Sequence, residues 1–175
     1  MTGGKGMRVF VLLLLSAVGC ATLPQKATLT DPKHPKDGKI GLIRFPQQVA
    51  AAWGFEGSLS DFIIAAENRL KSAPSVAVAG VLLSSFDYEA KGKIRGQLFL
   101  ITKNPPQNAQ TLIMPATLVA AITHIGNTEM LTEKFEILRE WTTQQGYAVV
   151  GAGRIILFCG GTYPILEVQY PVTPK

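Results

Sequence analysis

Hydrophobic and polar positions fall into two similar passages along this chain. In the second, an apolar run, Leu118-Val119-Ala120-Ala121-Ile122, reads as a strand and leads into His124-Ile125-Gly126. From Glu129 to Gln144 the apolar positions Met130, Leu131, Phe135, Leu138 and Trp141 recur at helical spacing, and Gly146 suits a left-handed helix end. Strand-like runs from Ala148 to Phe158 and from Ile165 to Tyr170 close the passage. In the first, Val49-Ala50-Ala51-Ala52-Trp53 reads as a strand. Ser58 is placed to cap a helix, with Asp61 in its first turn and Leu59, Phe62, Ile63, Ala66 and Leu70 along one face; Pro74 prevents its continuation.

The passages superimpose in order. Phe45-Pro46 falls on Met114-Pro115, 69 residues on, and Gly57 then falls on Gly126. After the helices the offset becomes 71, which puts Ala77-Val78-Ala79-Gly80 on Ala148-Val149-Val150-Gly151. A matched strand, glycine, helix, strand and glycine is a duplication signal. Two helices among many short strands, without long strand-helix-strand alternation, predict an α+β fold. The expected form is a tandem strand-helix-strand-strand duplication, a pseudo-two-fold antiparallel sheet with both helices packed on one side. The repeats span about 40–101 and 112–172, joined by a link around Asn104-Pro105-Pro106.

The N-terminus adds a cellular address. Lys5 and Arg8 precede an uncharged, mostly apolar stretch from Val9 to Gly19, too short to span a bilayer, so residues 1–19 read as a signal peptide. Ala17-Val18-Gly19-Cys20 resembles a bacterial lipobox, with Ala17 where Leu is usual. The resemblance implies cleavage before Cys20 and acylation of its thiol, such as by palmitate. Residues 20–38, with Pro24, Pro32 and Pro35 and several lysines, then form a tether from the membrane, and residues 39–175 form the domain. Ala21 after the cysteine resembles the signal for outer-membrane sorting in a Gram-negative cell. Loss of Lys5 and Arg8 takes the formal charge from +5 to +3, too low and dispersed to indicate nucleic acid. With Cys20 acylated, Cys159 is the one other thiol, beside Ile155-Ile156-Leu157-Phe158, where it reads as core; a Cys20–Cys159 disulfide is the alternative. No spacing of the two histidines and two cysteines predicts a metal site.

His124-Ile125-Gly126, Leu138-Arg139-Glu140-Trp141, Gln145-Gly146-Tyr147 and the run Ile165-Leu166-Glu167-Val168-Gln169-Tyr170-Pro171-Val172 together resemble the GyrI-like effector-binding family. That family comprises gyrase-inhibitor proteins and ligand-sensing domains of drug-responsive regulators. The resemblance implies the duplicated fold already read from the repeat, and a cleft along the pseudo-two-fold that takes small, often aromatic or cationic, molecules. It also implies that a Glu of the last strand, here Glu167, lies in that cleft. It does not bring a DNA-binding segment, whose place the tether occupies. The Met-Thr-x-Pro-Val signature of the related SOUL haem-binding family is not present.

Strand alternation puts Glu167 on one face with Ile165 and Gln169, and Leu166, Val168 and Tyr170 on the other. A carboxylate in such a run stands at an exposed edge or is buried with a partner, Arg154 and Arg95 being the internal candidates. In a dry cleft its pKa would rise, and a cationic ligand would lower it again. Trp53 and Phe55 share a face of their strand, and His124 is the repeat counterpart of Phe55. These three, with Trp141 and with Tyr163 after the turn signal Gly160-Gly161, are candidates to stack on or rim a flat ligand; core packing is the competing role for the tryptophans.

No nucleophile frame surrounds Ser84-Ser85, and Gly151-Ala152-Gly153 precedes a strand rather than a helix, so no catalytic residue and no cofactor is assigned. The expectation is a membrane-anchored domain facing the periplasm or cell exterior. It would bind an apolar or cationic aromatic molecule through Glu167, Trp53, Phe55, His124, Tyr163 and Trp141. The alternatives are a small hydrolase of the same fold using Glu167 and a Tyr, as some GyrI-like relatives do, and a structural protein that binds an envelope partner. Haem on His124 is a further alternative.

Overall fold

The structure is a computed structural model that describes residues 36–72, 78–88, 94–102, 105–107, 109–158 and 165–175, with backbone alone at 70–72, 78–88 and 158. Cys20, Cys159 and Tyr163 lie outside the described residues.

The chain forms β1 (Ile40–Phe45), β2 (Gln48–Gly57), α1 (Leu59–Ser72), β3 (Val78–Tyr88) and β4 (Ile94–Thr102). It then repeats the plan with β5 (Gln110–Met114), β6 (Thr117–Ile125), α2 (Leu131–Gln144), β7 (Tyr147–Val149), β8 (Arg154–Phe158) and β9 (Ile165–Pro174). The class is α+β, two helices with an antiparallel sheet. Its strands run in the order β1-β6-β9-β8-β3-β4-β2-β5, with β7 also paired to β9. Exchanging the two halves reverses this order onto itself: β1 with β5, β6 with β2, β9 with β4, β8 with β3. The axis passes through the central β3–β8 pair at Leu83 and Ile155, which lie opposite one another.

Two details go beyond the sequence expectation. The short strands β1 and β5 open each repeat, and each pairs with the other repeat, β1 with β6 and β5 with β2. This exchange ties the halves together, because neither three-stranded unit then keeps its own outer strand. The run expected as one strand from Ala148 to Phe158 is divided at 150–153. There the Val150 amide donates to the Pro171 carbonyl at 2.9 Å, and Gly153 lies under Phe135 of α2; a Cβ at Gly153 would stand 2.7 Å from the Phe135 ring.

Both helix starts follow from local chemistry. Ser58 and Asp61 form a capping box: the Asp61 amide donates to Ser58 Oγ at 3.1 Å, and the Ser58 amide donates to Asp61 Oδ2 at 2.7 Å. Hydrogen bonds from the Ser58 hydroxyl and amide hold the Asp61 carboxyl below its ordinary pKa. Before α2 a 3-10 turn, Thr128–Met130, intervenes, capped by the Asn127 side chain accepting from the Glu129 amide. The helix expected from Glu129 is therefore α-helical only from Leu131. It ends at Gly146, whose φ of 77° is the left-handed conformation that glycine adopts without cost.

Both helices cover one face of the sheet. Phe62 and Ala66 of α1 and Leu131 and Leu138 of α2 are buried against Ala51, Leu98, Leu100, Ala120, Ile122, Ile155, Leu157, Leu166 and Val168. The opposite face has its own core, drawn from Phe45, Ala50, Ala52, Phe99, Ile101, Met114, Val119, Ala121, Ile156 and Ile165. Phe45 and Met114 come from β1 and β5, at the two ends of the strand order, so the sheet curls and this second face is concave.

Candidate functional site

Among the described residues, the buried polar side chains of the concave face lie together. Strand alternation in β9 turns Glu167 and Gln169 away from the helices, and both are fully buried. Glu167 lies opposite Thr123 of β6 and Ile156 of β8; Gln169 lies opposite Ala121 and Arg154. Arg154, Gln169 and Glu167 therefore stand on adjacent strands of one face. Thr123 is buried beside them.

A carboxylate only accepts, so the Gln169 amide must turn its nitrogen toward Glu167; Nε2 donates to Glu167 Oε2 at 2.7 Å. This orientation leaves Gln169 Oε1 buried with no hydrogen-bond partner among the described residues. The same holds for Nε and Nη1 of Arg154, whose guanidinium carbon stands 5.9 Å from the centre of the Phe45 ring. Burial pushes the Arg154 guanidinium below its usual pKa. Among the described residues, an unmet buried acceptor thus lies beside the buried carboxylate, and two unmet buried donors lie on the same face. Native interiors rarely leave such groups unmet, because each costs about 1–3 kcal/mol. The other internal candidate for Glu167, Arg95, makes an exposed ion pair with Glu56 at 3.2 Å.

The remaining candidate residues lie elsewhere. Trp53 and Phe55 face α1: Arg69 stacks over Trp53 at 4.2 Å, and Phe55 meets Phe62 edge to face at 6.0 Å. Trp141 packs, half-buried, in the helix-side core. His124, also on the helix side, donates from Nε2 to the Asn127 carbonyl at 2.7 Å, and its Nδ1 stands 3.6 Å from Asp37 Oδ1. Asp37 in turn accepts from the Ile125 amide and from Lys134 Nζ. Burial works to raise the Asp37 pKa, but the Ile125 amide, Lys134 and the His124 charge outweigh it and hold it below its ordinary value. His124 thus belongs to a clamp joining the approach to β1, the end of β6 and α2. Of the candidate set, Glu167 alone is on the concave face; Tyr163 lies outside the described residues.

Sequence reasoning placed Gln169 on the Glu167 face and weighed Arg154 as a partner, but did not assign either to a site. The signal was available in part: alternation places Gln169, whereas the approach of Arg154 requires the β8–β9 register. Phe45 was not assigned because it lies three strands from Arg154 in the sheet order and reaches it only through the curl. Among the described residues, no group of three or more His, Cys, Asp or Glu side chains is arranged to hold a metal ion. A separate depression of about 160 Å³ is lined by Arg44, Ala116, Thr117 and Leu118 and contains none of these polar groups.

No protein-family model and no curated protein sequence matches the chain. Solved structures do. The crystal structure of the EcmrR C-terminal domain has a TM-score of 0.63 at 18% identity, covering 79% of this chain and 99% of that domain. In the cryo-EM structure of an EcmrR–DNA complex the TM-score is again 0.63 at 17% identity, over 78% of this chain but 58% of the EcmrR chain. SAV2435 bound to tetraphenylphosphonium has a TM-score of 0.51 at 14% identity, covering 77% of this chain and 94% of that one. At these identities the likeness is one of fold alone: the chain shares the fold of the EcmrR C-terminal domain and of SAV2435.

Proposed function

We propose that this chain is a small-molecule-binding domain of the GyrI-like fold, held at a bacterial membrane by lipid on Cys20 and facing the periplasm or cell exterior. The observation that carries the binding reading is the buried Glu167 carboxylate on the concave face, with the unmet Oε1 of Gln169 beside it and the unmet donors of Arg154 on the same face. A protein interior retains such groups at a cost in stability, and a ligand that meets them removes that cost. The surrounding apolar residues, including Phe45, Phe99 and Ile156, suit an aromatic or aliphatic body. That SAV2435 takes tetraphenylphosphonium, an aromatic cation, on a similar fold supports a cationic ligand for Glu167.

The test is titration with tetraphenylphosphonium and with fluorescent cationic dyes. Saturable binding that Glu167→Gln weakens about ten-fold or more is expected, because the variant keeps shape and removes charge. Saturable binding unaffected by the substitution, or no saturation, counts against the reading. The anchor is tested separately by metabolic labelling with a palmitate analogue. Label in the membrane fraction that Cys20→Ala abolishes is expected.

A further inference from the structure

The two end strands of the sheet hold equivalent places in the two repeats but are finished differently. β1 pairs with β6, and β5 with β2, so among the described residues each leaves one edge of backbone N–H and C=O groups with no strand beside it. With Phe45 equivalent to Met114, Arg44 of β1 is the counterpart of Ile113 of β5, and their cross-strand neighbours Leu118 and Val49 are counterparts too. An exposed charge such as Arg44 on an edge strand opposes the addition of a further strand. β5 has no such guard: Gln110-Thr111-Leu112-Ile113-Met114 holds no charge and no proline. Ile113 is 67% exposed and lies opposite Val49, itself 37% exposed, so two large apolar side chains stand together in solvent beside this edge. On the other face of β5, Leu112 is only partly covered by the second core.

We propose that β5 pairs antiparallel with β5 of a second copy of this chain, joining the two sheets across a two-fold axis at Leu112. The inference goes beyond the small-molecule reading and does not rest on it. The occupant follows from the strand's own composition. A two-fold pairing sets a strand against its own sequence, so any charge in it is brought to the same interface twice. β5 and the described residues beside it, Ala109, Pro115 and Ala116, carry no ionisable side chain, whereas the same pairing of β1 would bring two copies of Arg44 together. In the β5 pairing, Leu112 lies opposite its own copy and Thr111 opposite Ile113 of the second copy. Val49, Thr111 and Ile113 of both copies then form one β-branched cluster on the helix side, the type of residue that favours cross-strand contact. The two Leu112 side chains cover each other on the opposite face. Pro115, which has no N–H to donate, ends the pairing.

Sedimentation velocity and register-specific cross-linking test the proposal on the full chain in detergent. The wild type is expected to form a dimer as concentration rises. Ile113→Arg, at an exposed position and with the residue of the other repeat, is expected to weaken association at least about ten-fold. Under mild oxidation, Leu112→Cys meets its own copy at a spacing a disulfide spans, whereas Thr111→Cys faces Ile113 instead. Several-fold more covalent dimer is expected from Leu112→Cys than from Thr111→Cys or from the unsubstituted chain, whose native cysteines set the baseline. Adding Ile113→Arg is expected to abolish that excess. If Leu112→Cys does not fold, the double variant Thr111→Cys/Ile113→Cys carries the same readout, because the two positions face each other between copies. A chain that stays monomeric at all concentrations overturns the proposal, and so does a dimer that Ile113→Arg leaves intact or a cross-link with no preference for position 112. A monomeric chain that binds a peptide of sequence Gln-Thr-Leu-Ile-Met also overturns it, and marks the edge as a site for another protein's strand.

Discussion

In the first half of the sheet, Ala52 and Ala50 of β2 lie opposite Phe99 and Ile101 of β4. In the second, the equivalent residues Ala121 and Val119 of β6 lie opposite Gln169 and Pro171 of β9. Moving two residues along each strand puts Gln97 in the place of Glu167. Moving one strand inward puts Leu82 in the place of Arg154. Gln97 is exposed and Phe99 buried, whereas Glu167 and Gln169 are both buried. One backbone plan is thus finished with apolar residues and a solvated amide in one half, and with a buried acid, amide and guanidinium in the other. Among the described residues, these positions of the first half hold no buried charge, so the strand plan does not itself require it. The polar set of the second half is therefore a local cost that the scaffold tolerates, as functional sites commonly are.

The comparison can be broken hardest at the two helix–sheet contacts that both halves share. Phe62 of α1 and its repeat counterpart Leu131 of α2 are fully buried in the same core. Phe62→Ala is expected to cost about 3–5 kcal/mol and Leu131→Ala about 2–5 kcal/mol by chemical denaturation. A loss below about 1 kcal/mol at one of them would show that half to be dispensable to the core.

Arg154→Leu gives the second half the residue of the first. It removes two buried donors that have no partner among the described residues, and it is expected to stabilise the free protein by about 1–3 kcal/mol. Measured by the denaturation midpoint, a gain in stability would mark the guanidinium as a cost to the free fold. A loss of stability would show instead that Arg154 supports the fold.

The helix starts differ more gently. Ser58→Ala removes the capping box of α1 and is expected to cost about 0.5–2 kcal/mol, and Asn127→Ala, at the turn before α2, a similar or smaller amount. Native-state amide exchange in the first turns would separate the two.

Titration supplies the finest distinction. Asp61 in the first half and Asp37 against the second are both held below the ordinary carboxylate pKa. A depressed carboxyl favours the folded state above its unfolded pKa, and that contribution is lost as pH falls through the folded pKa. The destabilisation from Asp37→Asn and from Asp61→Asn should therefore be present at neutral pH and vanish in the acid range below about pH 4. Thermal melts across pH check this. An Asp37→Asn effect that persists unchanged in acid would remove the ionic clamp to Lys134 and His124 from the account.

Much of this was legible in the order of residues. The repeat, both helices, the Ser58 cap, the Gly146 stop and the α+β class rest on local periodicity and local hydrogen bonding, which act over a few residues and leave a mark in the sequence. The alternation that separates Glu167 and Gln169 from Leu166 and Val168 is equally local. The exchange of β1 and β5 between halves was not legible, because pairing partners far apart in the chain are chosen by the whole sheet. For the same reason, the sequence offered Trp53, Phe55, His124 and Trp141 as companions of Glu167, while the pairing turned all four toward the helices. Residue type and spacing say which side chains share a face of one strand. Only register and curl decide which strands lie next to each other and which way each face turns, and so bring Arg154, Gln169, Glu167 and Phe45 to one concave surface.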